Sequence, residues 1–447
     1  MNKIIKYLLS LLLMLSASAY SQKLDLETCR NLALENNKQI KKANLELEAS
    51  KQEKKYAFSK YFPKIDAQAM AMKSSDYMLK QQIPAMNLPV YDGNPVNLST
   101  PTQFAYFPGM EIASLDYSNT ASLSLIQPLF MGGKIFLSNQ LAKLNVEAHQ
   151  DALALSEEDI LAKTEMDYWK IIALKEKRKV LKGYATYLSK LAQDVRLACD
   201  AGLLQKEDLL QVQLKQKEVA VKKLKLENGI ALFKMAFCQH LGISYSPNFE
   251  LKDSLMPQKE PASFKVDHES ALARRKEFAM LNKSLEAEHL KKKIAAGEKL
   301  PQLAVGAQAL YLDVFKQEHT YGIAFARLSV PISDWWSASY KNKEHKIKEE
   351  IAQNELDDKS SLMLLQMDKA YKDLETAFAQ IKLEDLAVKQ AQEHQKVVDD
   401  NCKAGVLDTS KALESRAQLQ NTMNQLLEAK SDYQLKIIAY KKSIAQK

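Results

Sequence analysis

Tyr61-Phe62-Pro63-Lys64-Ile65-Asp66-Ala67-Gln68-Ala69 and Lys299-Leu300-Pro301-Gln302-Leu303-Ala304-Val305-Gly306-Ala307 are two versions of one stretch, 238 positions apart. In each, a proline opens a run in which apolar or small residues take every second place. Ile65, Ala67, Ala69 and Ala71 alternate with Asp66 and Gln68, and Leu303, Val305, Ala307 and Ala309 alternate with Gln302, Gly306 and Gln308. A period of two puts each set on its own face of a strand, so each stretch predicts a sheet with one apolar face.

Working outward, the similarity covers most of the chain. Asn37-Lys38-Gln39-Ile40 meets Arg275-Lys276-Glu277-Phe278 at the same offset. Farther on, Leu125-Ile126-Gln127-Pro128-Leu129 meets Leu328-Ser329-Val330-Pro331-Ile332, and Cys199-Asp200-Ala201-Gly202-Leu203 meets Cys402-Lys403-Ala404-Gly405-Val406, both at an offset of 203. The change from 238 to 203 leaves 35 extra residues, all between Pro63 and Pro128. A repeat this long is a duplicated half-molecule, not a solenoid unit.

Each half reads as helix, β-hairpin, long helix, turn, helix. Of the 447 residues only 12 are glycine and 12 proline; no proline lies between 128 and 247 or after 331. Few breakers predict long helices. These are expected at 25–60, with Asp25 as N-cap, then at 134–200, 206–241, 263–298, 337–403 and 409–444. Leu374, Ala377, Ile381, Val388, Ala391 and Val398 fit one heptad seam, interrupted by Glu384 and Gln395. Strands are expected at 61–73 and 118–130 and in the second hairpin, 299–332. The extra residues fall within 74–117, where prolines 84, 89, 95, 101 and 108 predict a long loop without regular strand.

Composition narrows the function. With 46% hydrophobic and 26% charged residues the chain is a folded protein, not a disordered one. Its net charge of +8 comes from interspersed signs, with no aromatic-plus-basic cluster, so a nucleic-acid partner is not expected. Cys29, Cys199, Cys238 and Cys402 match no zinc or redox spacing, and the seven histidines form no metal motif. No catalytic residue, metal or cofactor is expected, since nucleophile elbows and phosphate loops are absent. Lys3 and Lys6, the apolar run from Leu8 to Leu15 and Ala19-Tyr20-Ser21 read as a secretory signal cut before Gln22. No later stretch is apolar enough for a spanning helix, so membrane contact would be through a β-barrel or at the surface.

The strands are long enough to cross a bilayer when tilted, which takes about 9–11 residues. Four strands cannot close a barrel, and open edges in lipid leave backbone groups unpaired. A sheet of this kind must oligomerise; three copies would give twelve strands.

These features together resemble the TolC-like family of outer-membrane efflux proteins. The resemblance rests on Leu24-Asp25-Leu26-Glu27 … Leu32-Ala33-Leu34-Glu35-Asn36-Asn37, on Phe62-Pro63, on Gln127-Pro128-Leu129-Phe130-Met131-Gly132-Gly133-Lys134, and on the two Ala-Gly turns. It covers nearly the whole chain beyond residue 21. It implies a mixed α/β membrane protein, mainly α: a homotrimeric, 12-stranded β-barrel in the outer membrane, continued by a periplasmic α-helical barrel. The implied domains are a signal peptide (1–21), a periplasmic helix (22–60), hairpin 1 (61–131) and periplasmic helices (132–245). An equatorial linker (246–262), a helix (263–298), hairpin 2 (299–332) and periplasmic helices (333–447) complete it.

The resemblance also implies partners and sites. Outer-membrane lipid, a periplasmic adaptor and an inner-membrane pump are the expected partners of a passive exit duct. Gly202, Leu203, Gly405 and Val406 correspond to tip turns where adaptors dock. Asp208, Lys411 and Glu414 fall where the family lines its closed entrance, although Lys411 replaces an aspartate there, giving a mixed ring of charge. Trp335 and Trp336 stand where the family has Gly-Gly after the second hairpin. With Tyr61, Phe62 and Phe130 they are candidates for an interfacial aromatic girdle. Cys199 and Cys402 are repeat-equivalent, which alone does not bring them within bonding distance. A periplasmic coiled-coil adaptor or scaffold without a pore remains the second reading of the residues.

Overall fold

The computed structural model describes residues 23–254, 259–315, 317–332 and 334–446. The expected secretory segment, the linker residues 255–258 and the side chain of Trp335 lie outside these. The chain forms two compact units. One comprises the residues up to Lys51, Leu144–Ala287 and those from Glu349 onward; the other comprises Gln52–Lys143 and Glu288–Lys348.

The first unit is helical. A two-residue strand β1 (Lys23–Leu24), paired in parallel with β8 (Glu250–Leu251), leads to α1 (Leu26–Asn36), capped by the Asp25 side chain, which accepts from the Thr28 N–H at 2.9 Å. Helix α2 (Lys38–Ser59) follows after a break at Asn37. The sequence predicts one unbroken helix here, and the structure corrects this. Buried Asn37 leaves helical geometry, gives its side-chain N–H to the His240 carbonyl at 2.8 Å, and accepts from the Gln39 N–H. The second half breaks at the equivalent place. Between α5 (His268–Leu272) and α6 (Lys276–Gly297), buried Arg275 bonds Glu277 and Gln366. A polar residue with bonds outside its own helix outweighs propensity at both sites.

The long helices are α3 (Lys134–Asp200) and α7 (Asp334–Lys403), of 67 and 70 residues, or roughly 100 Å each. Helices α4 (Lys206–Leu241) and α8 (Thr409–Ser443) follow their turns. Every apolar seam position from Leu374 to Val398 is buried, and so is the interrupting Gln395. Two cores repeat one another: Ala33, Tyr168, Ile171, Phe237 and Leu241 in one, and Ala271, Tyr371, Leu374, Tyr440 and Ile444 in the other. A carboxylate on α3, Asp151, is held between Lys276 and Lys283. Burial opposes its ionisation, but the two ammonium groups win and keep its pKa below the usual carboxylate value.

The second unit carries the sheet. Strands β2 (Lys64–Lys73), β7 (Tyr117–Met131), β9 (Gln302–Val314) and β10 (Gln317–Ser329) are antiparallel in the order β10-β9-β7-β2. The central pair joins the two halves of the chain, with Leu125 opposite Ala307 and Leu123 opposite Ala309. Pro128 lies in β7 beyond the end of its pairing with β2, beside a register shift.

Residues 74–116 contradict the expectation of a strandless loop. They hold β3 (Leu79–Ile83), β4 (Met86–Val90), β5 (Gln103–Phe107) and β6 (Met110–Ser114), paired β3 with β6 and β4 with β5. Prolines 84, 101 and 108 fall between strands, and Pro95 opens a 3-10 turn over Pro95–Leu98. Pro89 does lie in a strand, opposite Phe104. A strand with one partner tolerates a proline because one side of its backbone has no ladder to lose.

Candidate functional site

The helical unit presents two tips built on one plan. At the first, α3 closes in a Schellman turn: the Gly202 N–H reaches the Cys199 carbonyl at 3.0 Å and the Leu203 N–H reaches Ala198 at 2.9 Å. At the second, Gly405 reaches Cys402 at 3.1 Å and Val406 reaches Asn401 at 2.9 Å. Gly202 and Gly405 have φ of +72° and +73°, and nothing stands near either Cα, so backbone geometry alone demands glycine. Each turn projects one apolar side chain, Leu203 at 78% exposure and Val406 at 71%. The cysteines repeat as well: the Cys199 thiol lies 3.2 Å from the Gln205 carbonyl and the Cys402 thiol 3.4 Å from Asp408. All four cysteines are free.

Beyond the turns the halves exchange a carboxylate. Asp208 turns back to accept from the Gln205 N–H at 3.2 Å, bracing the first turn of α4. Its repeat counterpart is Lys411, and the carboxylate reappears three residues earlier as Asp408, the N-cap of α8. Asp408 accepts from the Lys411 N–H at 3.1 Å and from the Ser410 hydroxyl at 2.6 Å. The Ser410 and Lys411 bonds hold its pKa below the usual carboxylate value. The Lys411 ammonium meets Glu414 at 3.0 Å on the exposed side of α8. The structure thus joins Lys411 to Glu414 and leaves Asp208 outside that pair. Glu414 also borders an open groove of about 750 Å³ between α4 and α8, with Gln211, Lys215, Ser410 and Gln418.

One polar cluster near the tips escaped sequence analysis. The Tyr187 hydroxyl on α3 donates to Asp399 of α7 at 2.9 Å, Gln395 donates to the same carboxylate oxygen at 2.7 Å, and the Arg416 guanidinium of α8 lies over the Tyr187 ring at 4.8 Å. Burial and then the neighbouring carboxylate push the Tyr187 phenol well above its ordinary pKa, so it remains a donor. The signal was present: Gln395 is one of the two polar residues that interrupt the apolar seam.

In the sheet unit the two central strands carry an inverted amphipathic pattern, while both faces of β2 and β10 are largely exposed. Ala121, Leu123 and Leu125 of β7 are exposed, while Ser122 and Ser124 between them are half-buried. On β9, Val305, Ala307 and Ala309 are exposed, and Gly306 and Gln308 are half-buried. Soluble sheets do the reverse. At the strand roots an open concavity of about 1540 Å³ lies between the two edge strands, with Lys64, Asp66, Gln302, Phe325 and Arg327 among its walls. Phe325 lies across Gly306, where a Cβ would meet its ring at 2.5 Å. Strands β2 and β10 each have one partner, so both outer edges are open.

At the strand roots Tyr61, Phe62 and Phe130 are exposed, and Trp336 reaches 76% exposure. Phe58, which sequence analysis missed, joins Tyr61 and Phe62 edge-to-face with centroids 5.7 and 5.5 Å away. Gly132 and Gly133, with φ of +63° and +76°, turn the chain from β7 into α3, and Gly132 abuts the Gly297 backbone. The second half enters α7 at Asp334 instead, so Trp336 lies in helix. Among the described residues no His, Cys, Asp and Glu cluster could hold a metal ion, and no helix is long and apolar enough to cross a membrane.

Comparison with known proteins agrees with this geometry. Residues 29–231 and 268–444 match the outer membrane efflux protein family. The match covers most of the chain, and this protein belongs to that family. The outer membrane protein VceC of Vibrio cholerae superposes with a TM-score of 0.73 at 14% identity, over 94% of this chain and 96% of that one. The MtrE outer membrane channel of Neisseria gonorrhoeae, in its open state, gives 0.74 at 13%, over 94% and 89%. The CmeC outer membrane channel of Campylobacter jejuni gives 0.72 at 14%, over 94% and 85%. At such identities these likenesses establish the fold. No curated protein matches in sequence. Family membership makes this an outer-membrane efflux protein with a periplasmic helical extension, and it removes the adaptor reading.

Proposed function

We propose that three copies join the β2 edge of one to the β10 edge of the next, closing a 12-stranded barrel, and that the assembly is the passive exit duct of a tripartite efflux or secretion system. One observation carries this: an apolar face that is exposed, polar positions on the central strands that are half-buried, and two unpaired edges. In water that sheet would expose the wrong face; in lipid its edges would leave several backbone groups unpaired at several kcal/mol each. A closed ring satisfies both demands.

An adaptor docks on the tips through Leu203 and Val406, with Gly202 and Gly405 shaping the turns. An inner-membrane pump supplies the energy. Asp208, Lys411 and Glu414 line the constriction, and the Tyr187–Asp399 bridge ties α3, α7 and α8 beside it. Tyr61, Phe62, Phe130 and Trp336 form the interfacial belt.

The test is purification in detergent followed by planar-bilayer recording. The expected result is a heat-modifiable trimer that conducts weakly, and more strongly after Asp208→Ala or Lys411→Ala. A monodisperse monomer that needs no detergent ends the proposal; unchanged conductance in both variants removes the constriction assignment. Gly202→Val and Gly405→Val are expected to abolish adaptor cross-linking while trimers persist, and undiminished cross-linking would remove the docking role.

A further inference from the structure

The extra 35 residues of the first hairpin form a two-stranded ribbon that continues the membrane sheet. It rises from β2 and β7, and two backbone bonds carry pairing through the junction: Ser74 N–H to the Asp116 carbonyl at 2.7 Å and Met78 N–H to Leu115 at 3.1 Å. Leu115, with φ of +69°, marks the kink. From Leu79 to Val90 the ribbon is twelve residues long, about 40 Å at ~3.3 Å each. At its far end Asp92 gathers the Asn94 N–H, the Asn97 amide and the Thr102 hydroxyl, all within 2.9 Å. The end is therefore a built structure.

Its surface is unlike that of a free hairpin. On the inner pair, Leu79, Ile83, Met110 and Ile112 share one face, and Lys80, Gln82 and Glu111 share the other. On the outer pair both faces are largely apolar: Met86, Leu88 and Val90 on one, Pro89, Phe104 and Tyr106 on the other. Most of these side chains are exposed. A lone two-stranded ribbon is marginal in water, and this one leaves large apolar groups uncovered.

We propose that the cover is the ribbons of the two other copies, and that the three together narrow the outer mouth of the duct. This rests on the trimeric reading above. Three observations select this occupant. First, the ribbon springs from β2, the free edge that must meet a neighbouring copy, so it stands at the subunit boundary. Second, an outer segment apolar on both faces needs a cover on each side, and a threefold ring gives every ribbon two neighbours. Third, residues 74–116 contain one basic residue, Lys80, against Asp76, Asp92, Glu111 and Asp116, and Lys80 pairs with Asp76 at 2.6 Å. A net acidic segment without free cations does not suit the phosphates of an outer leaflet. Reach is sufficient: twelve strands ~4.8 Å apart and tilted ~40° enclose a barrel roughly 24 Å across, so a 40 Å ribbon spans its radius.

The test uses the full chain with its four cysteines replaced by alanine. Leu88→Cys and Phe104→Cys, each alone, are treated with a short bis-maleimide in intact outer membranes. The expected product is covalent dimers of this chain at one or both sites. In parallel, excision of 79–114 is expected to leave trimers intact and raise single-channel conductance at least twofold. Intact trimers with no self-cross-link at either site and no change on excision overturn the ribbon proposal alone. Cross-links only to a thiol of another protein overturn it too. Absence of trimers in the parent chain would instead overturn the duct reading.

Discussion

The two halves of this chain share a set of buried positions and differ around it: Trp169 and Ile172 are buried, whereas their counterparts Lys372 and Glu375 are exposed. Tyr168 and Tyr371, Phe237 and Tyr440, and Leu241 and Ile444 fill matching places in two cores. Even the backbone after α4 and α8 agrees: Gly242 has φ of +70° and its counterpart Ala445 has +51°. The halves part at the strand exit, at the hydrogen bonds around the buried tyrosines, at the caps beyond the tips, and in the hairpin loop. Duplication preserved what packing requires, where a wrong volume leaves a cavity or a clash. It released the strand exit, the tip caps, the hairpin loop and the polar partners of the buried tyrosines.

That contrast can be broken in order of effect. The largest lies at the strand exits. A side chain on Gly132 meets the Gly297 backbone and sits at φ of +63°. Gly132→Val is expected to cost about 3–5 kcal/mol and to abolish trimers on unheated gels. In the other half Trp336, the counterpart of Gly133, carries an exposed ring, and Trp336→Ala is expected to cost less than about 1 kcal/mol. Equal tolerance at both positions would mean the two exits do not differ in the way their geometry states.

Next come the matched tyrosines. The Tyr168 hydroxyl, buried, donates to Asp253 at 2.5 Å. Tyr168→Phe strips that carboxylate of its donor and is expected to lower unfolding stability by about 2 kcal/mol; Tyr371→Phe should cost under about 1 kcal/mol. Denaturant midpoints at constant slope read the difference directly.

The tip bridge is smaller. Tyr187→Phe keeps the ring beneath Arg416 and deletes the bond to Asp399. Roughly 1 kcal/mol of local stability is expected to go, with bilayer conductance rising by a factor of two or more. Silent conductance would leave Tyr187 a packing residue only.

The smallest effect is at the caps. Asp408 carries two hydrogen bonds of its tip and Asp208 one, so Asp408→Ala should speed amide exchange in the first turn of α8 more than Asp208→Ala does in α4. The sign with pH follows from a lowered carboxylate pKa. Asp408 supports the tip above its ordinary value and loses that support as pH falls through the lower folded value. Protection of the amides at the start of α8, taken relative to the intrinsic exchange rate at each pH, should therefore fall as the pH drops through the lowered folded value, and Asp408→Ala should erase the change. A pH profile that survives the substitution would assign it to another group.

Much of this architecture was legible in the residues, and the reason is periodicity. Helices α3 and α4 begin and end where breaker spacing places them, and the strands follow the alternation that begins at Ile65. The tip glycines were legible because positive φ selects glycine almost alone. The failures share another cause. Asn37 and Arg275 break helices because of partners elsewhere in the chain, and Pro89 sits in a strand because that strand has a single neighbour. The Tyr187 cluster unites residues more than two hundred positions apart, and its only local trace was Gln395 in an apolar seam.

By itself, then, the order of the amino acids determined the duplication, the element types, the two glycine turns and the sheet's single apolar face. Each follows from local stereochemistry or from a period of 2 or 3.6 residues. Only the tertiary structure decided which face of the sheet is exposed, that 74–116 is a paired ribbon, and that Asp408 takes over the carboxylate duty that Asp208 serves in the other half. Those are matters of which groups meet across space. A pattern along the chain states that a face is apolar; it takes the folded arrangement to show that the apolar face is the one turned outward.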